Sequence, residues 1–379
     1  MRTARKACLI TSAHQAFDTR IFHRQARSLA NAGYDVVLLA PHYREESVHA
    51  VRVKPLAPGM GILRRVRTCV QAFRLARREA ASAYHFHDLE LIPVGIMLKL
   101  ATRAKIIYDV HEDYAKAIEG KALRPALLRH GLARLVGWGE RWASRLFFDA
   151  VVTAGEDISG SFGKQKPVTV RNYPKLETIS DTGKEARGDG YTLVYAGGVS
   201  PARGVVEVIE ALDLLSRSDV RLTLIGRFHS ESFSQHVRSL RGYRHVDFLG
   251  WLEQEDMHKE LAAGDVGVYC PHPAPNYLPL RSNKIFEYMA AGLPIVTADF
   301  PSWKRVIDAE RVGITVNPQD TTAIAEAIQY LLEHPELRHE MGERGRAAIR
   351  ARYNWENEAV KLLHVYSRLM VDGAKERYS

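Results

Sequence analysis

Cysteine is scarce: among 379 residues only Cys8, Cys69 and Cys270 carry a thiol, and no two of them stand at a paired spacing. This excludes a disulfide framework or a thiolate zinc site and fits a reducing, cytoplasmic setting. Long apolar runs are missing as well. The longest, residues 91–98, is far short of the about 20 residues that span a bilayer. The basic start, residues 1–6, is followed by only four apolar residues before Thr11, Ser12 and His14, so no export signal is expected. Low-complexity tracts and short repeats are absent from the chain.

What remains is ordinary globular material, 46% hydrophobic and 26% charged. At roughly 150 residues per domain the length suits two domains and excludes a small binding module. Charge is unevenly placed. Residues 1–170 hold 27 Lys and Arg against 15 Asp and Glu, a net of +12, whereas residues 171–379 hold 26 against 29, a net of −3. The basic front half suits an anionic partner, whether nucleic acid, lipid head groups or a phosphorylated substrate.

Short apolar runs alternate with amphipathic stretches along the whole chain, the pattern of parallel strands crossed over by helices. Strands are expected at 8–12, 35–40, 51–56, 83–87, 105–110 and 150–154, with a helix over 21–32 stopped by Gly33. Residues 178–190 are turn-rich and aperiodic and read as a junction. A second alternation follows, with strands at 191–196, 221–225, 246–249, 266–270, 294–298 and 313–316. Its helices are expected at 205–216, 231–240, 284–291 and 321–333. The pattern predicts an α/β protein of two Rossmann-like, doubly wound parallel-sheet domains facing each other across a cleft. We place the first at 1–175 and the second at 176–353. The segment 354–379 opens with an amphipathic helix that either closes the second domain or crosses back to the first.

Two constellations can carry chemistry. A strand, the Gly197–Gly198 turn and a helix starting near Arg203 form a possible phosphate cradle, with free amides and one cation; the same turn also occurs without a ligand. Residues 281–296 place Ser282 or Asn283 at a helix start, Lys284 in the first turn and Glu287 one turn later. Lys284 can meet a diphosphate and Glu287 a ribose diol, and both also suit an ordinary surface helix. His85 and His87 point the same way from a strand, but no third ligand is apparent, so a strand-end pair is expected rather than a metal site. His14, Asp18 and Arg20 follow the first strand, where doubly wound domains bind ligands. They and His87 are acceptor-side candidates, although Asp18 can equally cap the helix and Arg20 can be solvated.

Asn283-Lys-Ile-Phe-Glu-Tyr-Met-Ala-Ala-Gly-Leu-Pro-Ile-Val296 resembles the donor-nucleotide motif of the family-4 retaining glycosyltransferases, which have the GT-B fold. Four further stretches agree in order. Residues 17–34 resemble the opening of bacterial surface-polysaccharide members, and Tyr108-Asp-Val-His-Glu-Asp113 the loop with the active-site histidine. Gly197-Gly-Val-Ser-Pro-Ala-Arg-Gly204 resembles the phosphate loop, and Phe248-Leu-Gly-Trp251 the stretch beside the base. The resemblance implies that Glu287 holds the ribose, Arg203 contacts the diphosphate and His111 lies near the transferred sugar. Gly197, Gly198, Ser282, Asn283 and Lys284 would complete the donor site, with Lys284 joining His111 and Arg203 in catalysis.

Two positions depart from the family's pattern. Its first glutamate falls at Pro279 and a usual arginine at Gly198; Lys284 is the candidate replacement for the missing cation. No two aspartates are separated by one residue, so the Asp-x-Asp metal site of other glycosyltransferases is lacking. No metal and no cofactor are expected.

The expected activity is retaining transfer from a nucleotide sugar, a UDP-sugar by preference, to a glycan or polyprenyl-diphosphate-linked acceptor in surface polysaccharide synthesis. Residues 61–79 and 116–145 interleave arginines with apolar residues, as helices on an anionic membrane face do, and as solvated basic helices also do. Other readings of the same fold are a nucleotide-sugar 2-epimerase and a non-catalytic membrane-bound scaffold. No nucleic-acid-binding module is visible.

Overall fold

A computed structural model describes residues 5–57, 61–119, 126–179, 190–274, 277–279 and 282–375. Most of the junction expected at 178–190, and Arg281, lie outside the described residues. The chain forms two units, Met1–Asn172 with Glu356–Ser379, and Tyr173–Trp355.

The first unit is built on eight strands: β1 (Lys6–Ile10), β2 (Asp35–Pro41), β3 (Glu46–Val48), β4 (Val51–Leu56), β5 (Ala83–Phe86), β6 (Lys105–Val110), β7 (Ala150–Thr153) and β8 (Val168–Thr169). Their order is β3-β4-β2-β1-β5-β6-β7-β8. All pairings are parallel except β3 with β4. Helices cover both faces of such a sheet, so inner strands are apolar throughout rather than alternating. Residues 7–10 and 36–40 are buried without a break, which is why these strands were legible as apolar runs.

The second unit holds β9 (Tyr191–Ala196), β10 (Val220–Ile225), β11 (Val246–Gly250), β12 (Val266–Tyr269), β13 (Ile295–Ala298) and β14 (Gly313–Val316), in the order β11-β10-β9-β12-β13-β14. Every pair is parallel. Both units are therefore doubly wound. The order reverses beside β1 in one and beside β9 in the other, and ligands bind outside the carboxyl ends of the strands at such points.

One element is wound differently from expectation. The helix after β1 starts at Thr19, and Thr19–Ala26 is a π-helix that passes into the α-helix Arg27–Asn31. Asp18 caps it through Oδ1, which accepts from Arg20 N and Ile21 N. The last helix, Trp355–Lys375, belongs to the first unit in all but its first residue. Glu358 accepts from the backbone N–H of Arg171 at 2.9 Å, and Tyr366 lies fully buried against Tyr34 and His85.

Candidate functional site

In the second unit the site begins where β9 ends. Gly197 has φ +137°, open to glycine, and a Cβ there would collide with Lys284 Cε, so the turn admits the lysine across its backbone. A 3₁₀ turn, Pro201–Arg203, leads into the helix Val205–Leu215. The Arg203 guanidinium donates to Tyr277 Oη (3.3 Å) and to the Gly198 carbonyl (3.4 Å), which also accepts from the Tyr195 hydroxyl (3.1 Å). A Cβ at Gly198 would sit 2.9 Å from Arg203 Nη1. The missing side chain at this position thus leaves room for Arg203 to fold over the turn.

Lys284 stands in the first turn of the helix Asn283–Ala291, with Ser282 at the N-cap position but its side chain not closing the cap. The ammonium rests 4.8 Å from the centroid of the Tyr269 ring. Burial, then repulsion from Arg203, pushes its pKa down to about 8, against the pull of Glu287. Glu287 is half-buried one turn on. Among the described residues neither Arg203 nor Lys284 has a carboxylate partner, and Glu287 accepts no hydrogen bond. Two converging cations and a carboxylate with open lone pairs suit an anion flanked by hydroxyls.

In the first unit, side chains gather at the carboxyl ends of β1, β5 and β6. Asp88 binds the turn after β1, accepting from Thr11 Oγ1 (2.8 Å), Ser12 N (2.6 Å) and Ala13 N (3.2 Å). His14 lies 3.5 Å from Asp18 and 3.6 Å from Asp88. Burial alone would lower its pKa, but these carboxylates hold it above the usual value. Asp18 in turn overcomes its own burial through His14 and the backbone N–H groups and falls to about 2. His111 packs 4.9 Å from the His14 ring centroid. It is pushed the other way, to about 4, by burial despite the pull of Asp109.

Beneath them lies Asp109, fully buried. Arg20 reaches it with Nη2 (2.8 Å to Oδ1) and Nε (3.3 Å to Oδ2), and Gln25 Nε2 donates to Oδ2. Burial would raise this carboxyl, yet Arg20 above all keeps it far below the usual range.

The π-helix explains how both donors arrive. At about 4.4 residues per turn, set by the i→i+5 bond, Arg20 and Gln25 lie on one face. In an α-helix five residues turn through about 500°, which would separate them.

Two expected acceptor contacts are thereby corrected. Arg20 is 3% exposed and is engaged by Asp109, the Val170 carbonyl and Asn172 Oδ1 (2.7 Å each for the last two); a buried guanidinium needs partners in the protein, so it is not presented to a ligand. His87 is also fully buried, with Nδ1 3.2 Å from His111 Nε2. His14 and Asp18 remain partly open.

The expectation that His85 and His87 lack a third ligand is corrected too. Asp109 Oδ2 is 3.6 Å from His85 Nε2 and 3.7 Å from His87 Nδ1, a grouping of donors that could hold a cation. The same oxygen already accepts from Gln25 and Arg20, however, and the Arg20 charge occupies the place that a metal's charge would take. The donor set as built therefore serves Arg20 better than a metal.

Sequence reasoning missed Asp109, Gln25, Tyr277 and Tyr366. Only Asp109 carried a signal: strand alternation puts it on the same face as His111. The others reach their sites through π winding, a loop and a returning helix, none of which leaves a periodic trace.

Comparison with known proteins bears on the family and the fold. Residues 179–348 match the family described as Glycosyl transferases group 1, and residues 19–165 match the Glycosyl transferase 4-like domain. A phosphatidyl-myo-inositol mannosyltransferase of Mycobacterium leprae is 25% identical over 93% of this chain and 90% of its own. A glycogen synthase of Mycobacterium tuberculosis is 23% identical over 92% and 90%. Among solved structures, sucrose-phosphate synthase from Thermosynechococcus elongatus superposes with a TM-score of 0.73 at 18% identity, covering 97% of this chain and all of that one. Anabaena HepE in complex with UDP-glucose gives 0.72 at 13%, covering 96% and 99%.

Proposed function

The chain belongs to the family-4 glycosyltransferases of GT-B fold, and we propose that it transfers a hexose, with retention, from a UDP-sugar to a lipid-linked glycan acceptor of a surface polysaccharide. One observation carries the donor half of this reading: Arg203 and Lys284 converge where β9 and β12 end, without carboxylate partners among the described residues, and Glu287 stands half-buried one turn away. Gly197, Gly198, Ser282 and Asn283 would bring backbone and polar groups to the same ligand.

Breaking the bond from sugar to nucleotide leaves charge on the β-phosphate, and preorganised cations stabilise that charge as it forms. Arg203, held by Tyr277 and the Gly198 carbonyl, and Lys284, held over Tyr269, are preorganised in this sense. We assign the chemistry to these residues with no metal and no cofactor. His111 would contact the transferred sugar, and His14 and Asp18 the acceptor.

Two points support a lipid acceptor. The mycobacterial relative is named for transfer to phosphatidyl-myo-inositol. The first unit also exposes Leu63, Val66 and Val70 beside Arg64 and Arg67, and Leu132, Leu135, Trp138, Trp142 and Leu146 on a second basic helix. No helix among the described residues is long and apolar enough to cross a membrane. The proposal is peripheral contact with the anionic cytoplasmic face.

The test is a thermal-shift screen of UDP- and GDP-sugars with Glu287→Ala as control, since a ligand that binds only the folded state raises Tm. A UDP-sugar should raise Tm in the unsubstituted protein and raise it less in the variant. An equal shift in both contradicts the ribose role, and no shift with any UDP-sugar contradicts the donor.

A further inference from the structure

Two neutral imidazoles in hydrogen-bond contact share a single proton, and what lies beside them decides where it sits. His87 Nδ1 and His111 Nε2 are 3.2 Å apart. Burial keeps both rings neutral near pH 7: His87 falls well below the usual histidine value, and His111 falls to about 4. The neighbour is Asp109, an acceptor only. Its Oδ2 stands 3.7 Å from His87 Nδ1, while its nearest approach to His111 Nε2 is 3.9 Å, through Oδ1.

The carboxylate thus draws an N–H from the two β5-side histidines in the same way. On His85, Nε2 faces Oδ2 at 3.6 Å, and the opposite nitrogen, Nδ1, lies 3.0 Å from the Tyr366 hydroxyl, which can donate to it when Nε2 carries the hydrogen. Tyr366, His85 and Asp109 form a line, and a hydrogen on His85 Nε2 would point along it toward the carboxylate, which Arg20 and Gln25 hold ionised.

We propose that His87 carries its hydrogen on Nδ1 and donates it to His111 Nε2, so that His111 bears its own hydrogen on Nδ1 and meets its ligand as a donor, not as a base. His87 is then a positioning residue, acting through His111. The Nδ1 of His111 has no hydrogen-bond partner among the described residues, and the ring is partly open beside His14, whose pKa Asp18 and Asp88 raise against burial. An N–H beside a histidine whose charged form is favoured suits an electron-rich oxygen, a sugar hydroxyl or a phosphate oxygen. Only the naming of that ligand rests on the glycosyltransferase reading; the tautomer rests on the distances to Asp109 and on the burial that keeps both rings neutral.

Long-range ¹H–¹⁵N spectra of the full chain labelled at histidine report the tautomer of each ring without any sugar substrate. The expected result is Nδ1–H for His111 in the unsubstituted protein. His87→Leu should release it to Nε2–H or to a mixture. His87→Asn, whose side-chain amide can stand near the place of Nδ1, should restore it. Nε2–H on His111 in the unsubstituted protein overturns the proposal, as does an unchanged His111 tautomer in a natively folded His87→Leu. Should His87→Leu not fold, the unsubstituted spectrum and the Asn variant still decide. Because no donor is present, failure here leaves the donor site standing, and failure of the nucleotide screen leaves this result standing.

Discussion

At the scale of single residues, the two units treat charge in opposite ways. Lys284 is a cation kept waiting for an anion, and its pKa near 8 gives a pH dependence with a definite sign. The charged form is the one that binds phosphate, so UDP affinity should hold below pH 7 and fall as pH rises through 8, approaching tenfold per unit above it. Lys284→Arg should remove the fall, because arginine stays charged. Calorimetry of UDP binding between pH 6.5 and 9.5 checks this; a flat profile in the unsubstituted protein would place the ammonium away from the nucleotide. Asp109 is instead an anion already matched. In Asp109→Asn the Arg20 guanidinium stays buried with its counter-charge gone, a change that costs about 3–5 kcal/mol, readable as a lower urea midpoint. Lys284→Ala should leave that midpoint nearly unmoved.

At the scale of elements, the strands were legible and the winding of one helix was not. An inner strand of a parallel sheet has only one requirement, apolar residues on both faces, and that is visible in a run such as Val36–Val37–Leu38–Leu39. The strands β3 and β8, with three and two residues, are too short to leave such a mark. The helix after β1 was expected over 21–32, and Arg20 was placed near a ligand because it follows the first strand. Its π turns are stabilised by what they reach rather than by their own sequence, since Asp109 lies on a strand far along the chain. The helix Asn283–Ala291 was readable because Ser282, Lys284, Glu287 and Gly292 are local to it. The histidine cluster was half readable: alternation aligned His85 with His87, but burial depends on everything packed above them. A consequence belongs to this scale. Gln25→Leu removes one of the donors to a buried carboxylate oxygen and should cost about 1–3 kcal/mol. Gln25→Ala in addition opens a cavity and should cost more. Equal, negligible losses in urea unfolding would mean that the π turn does not depend on this contact.

For the whole molecule the governing fact is the separation of charge, +12 in the first 170 residues against −3 in the rest. One run of exposed aromatic and aliphatic residues lies in the basic part. On the helix Ala126–Phe147, Leu132, Leu135, Trp138, Trp142 and Leu146 recur every three or four positions and face outward, with Arg134, Arg141 and Arg145 exposed around them. An apolar stripe of this spacing would ordinarily lie against a core. Left exposed and flanked by cations, it matches the interface of an anionic bilayer, where indole rings settle at head-group depth and each nearby cation contributes about 1 kcal/mol. The chain should therefore sediment with vesicles containing phosphatidylglycerol, release as salt rises, and ignore vesicles of phosphatidylcholine alone. The double substitution Trp138→Ala, Trp142→Ala should weaken that partition by an order of magnitude and leave the thermal shift with UDP-sugar intact, because these rings lie in the first unit and the cations proposed to bind the nucleotide in the second. Equal binding to neutral vesicles, or no loss in the double variant, would assign the stripe to a protein partner and remove the membrane from the proposed acceptor.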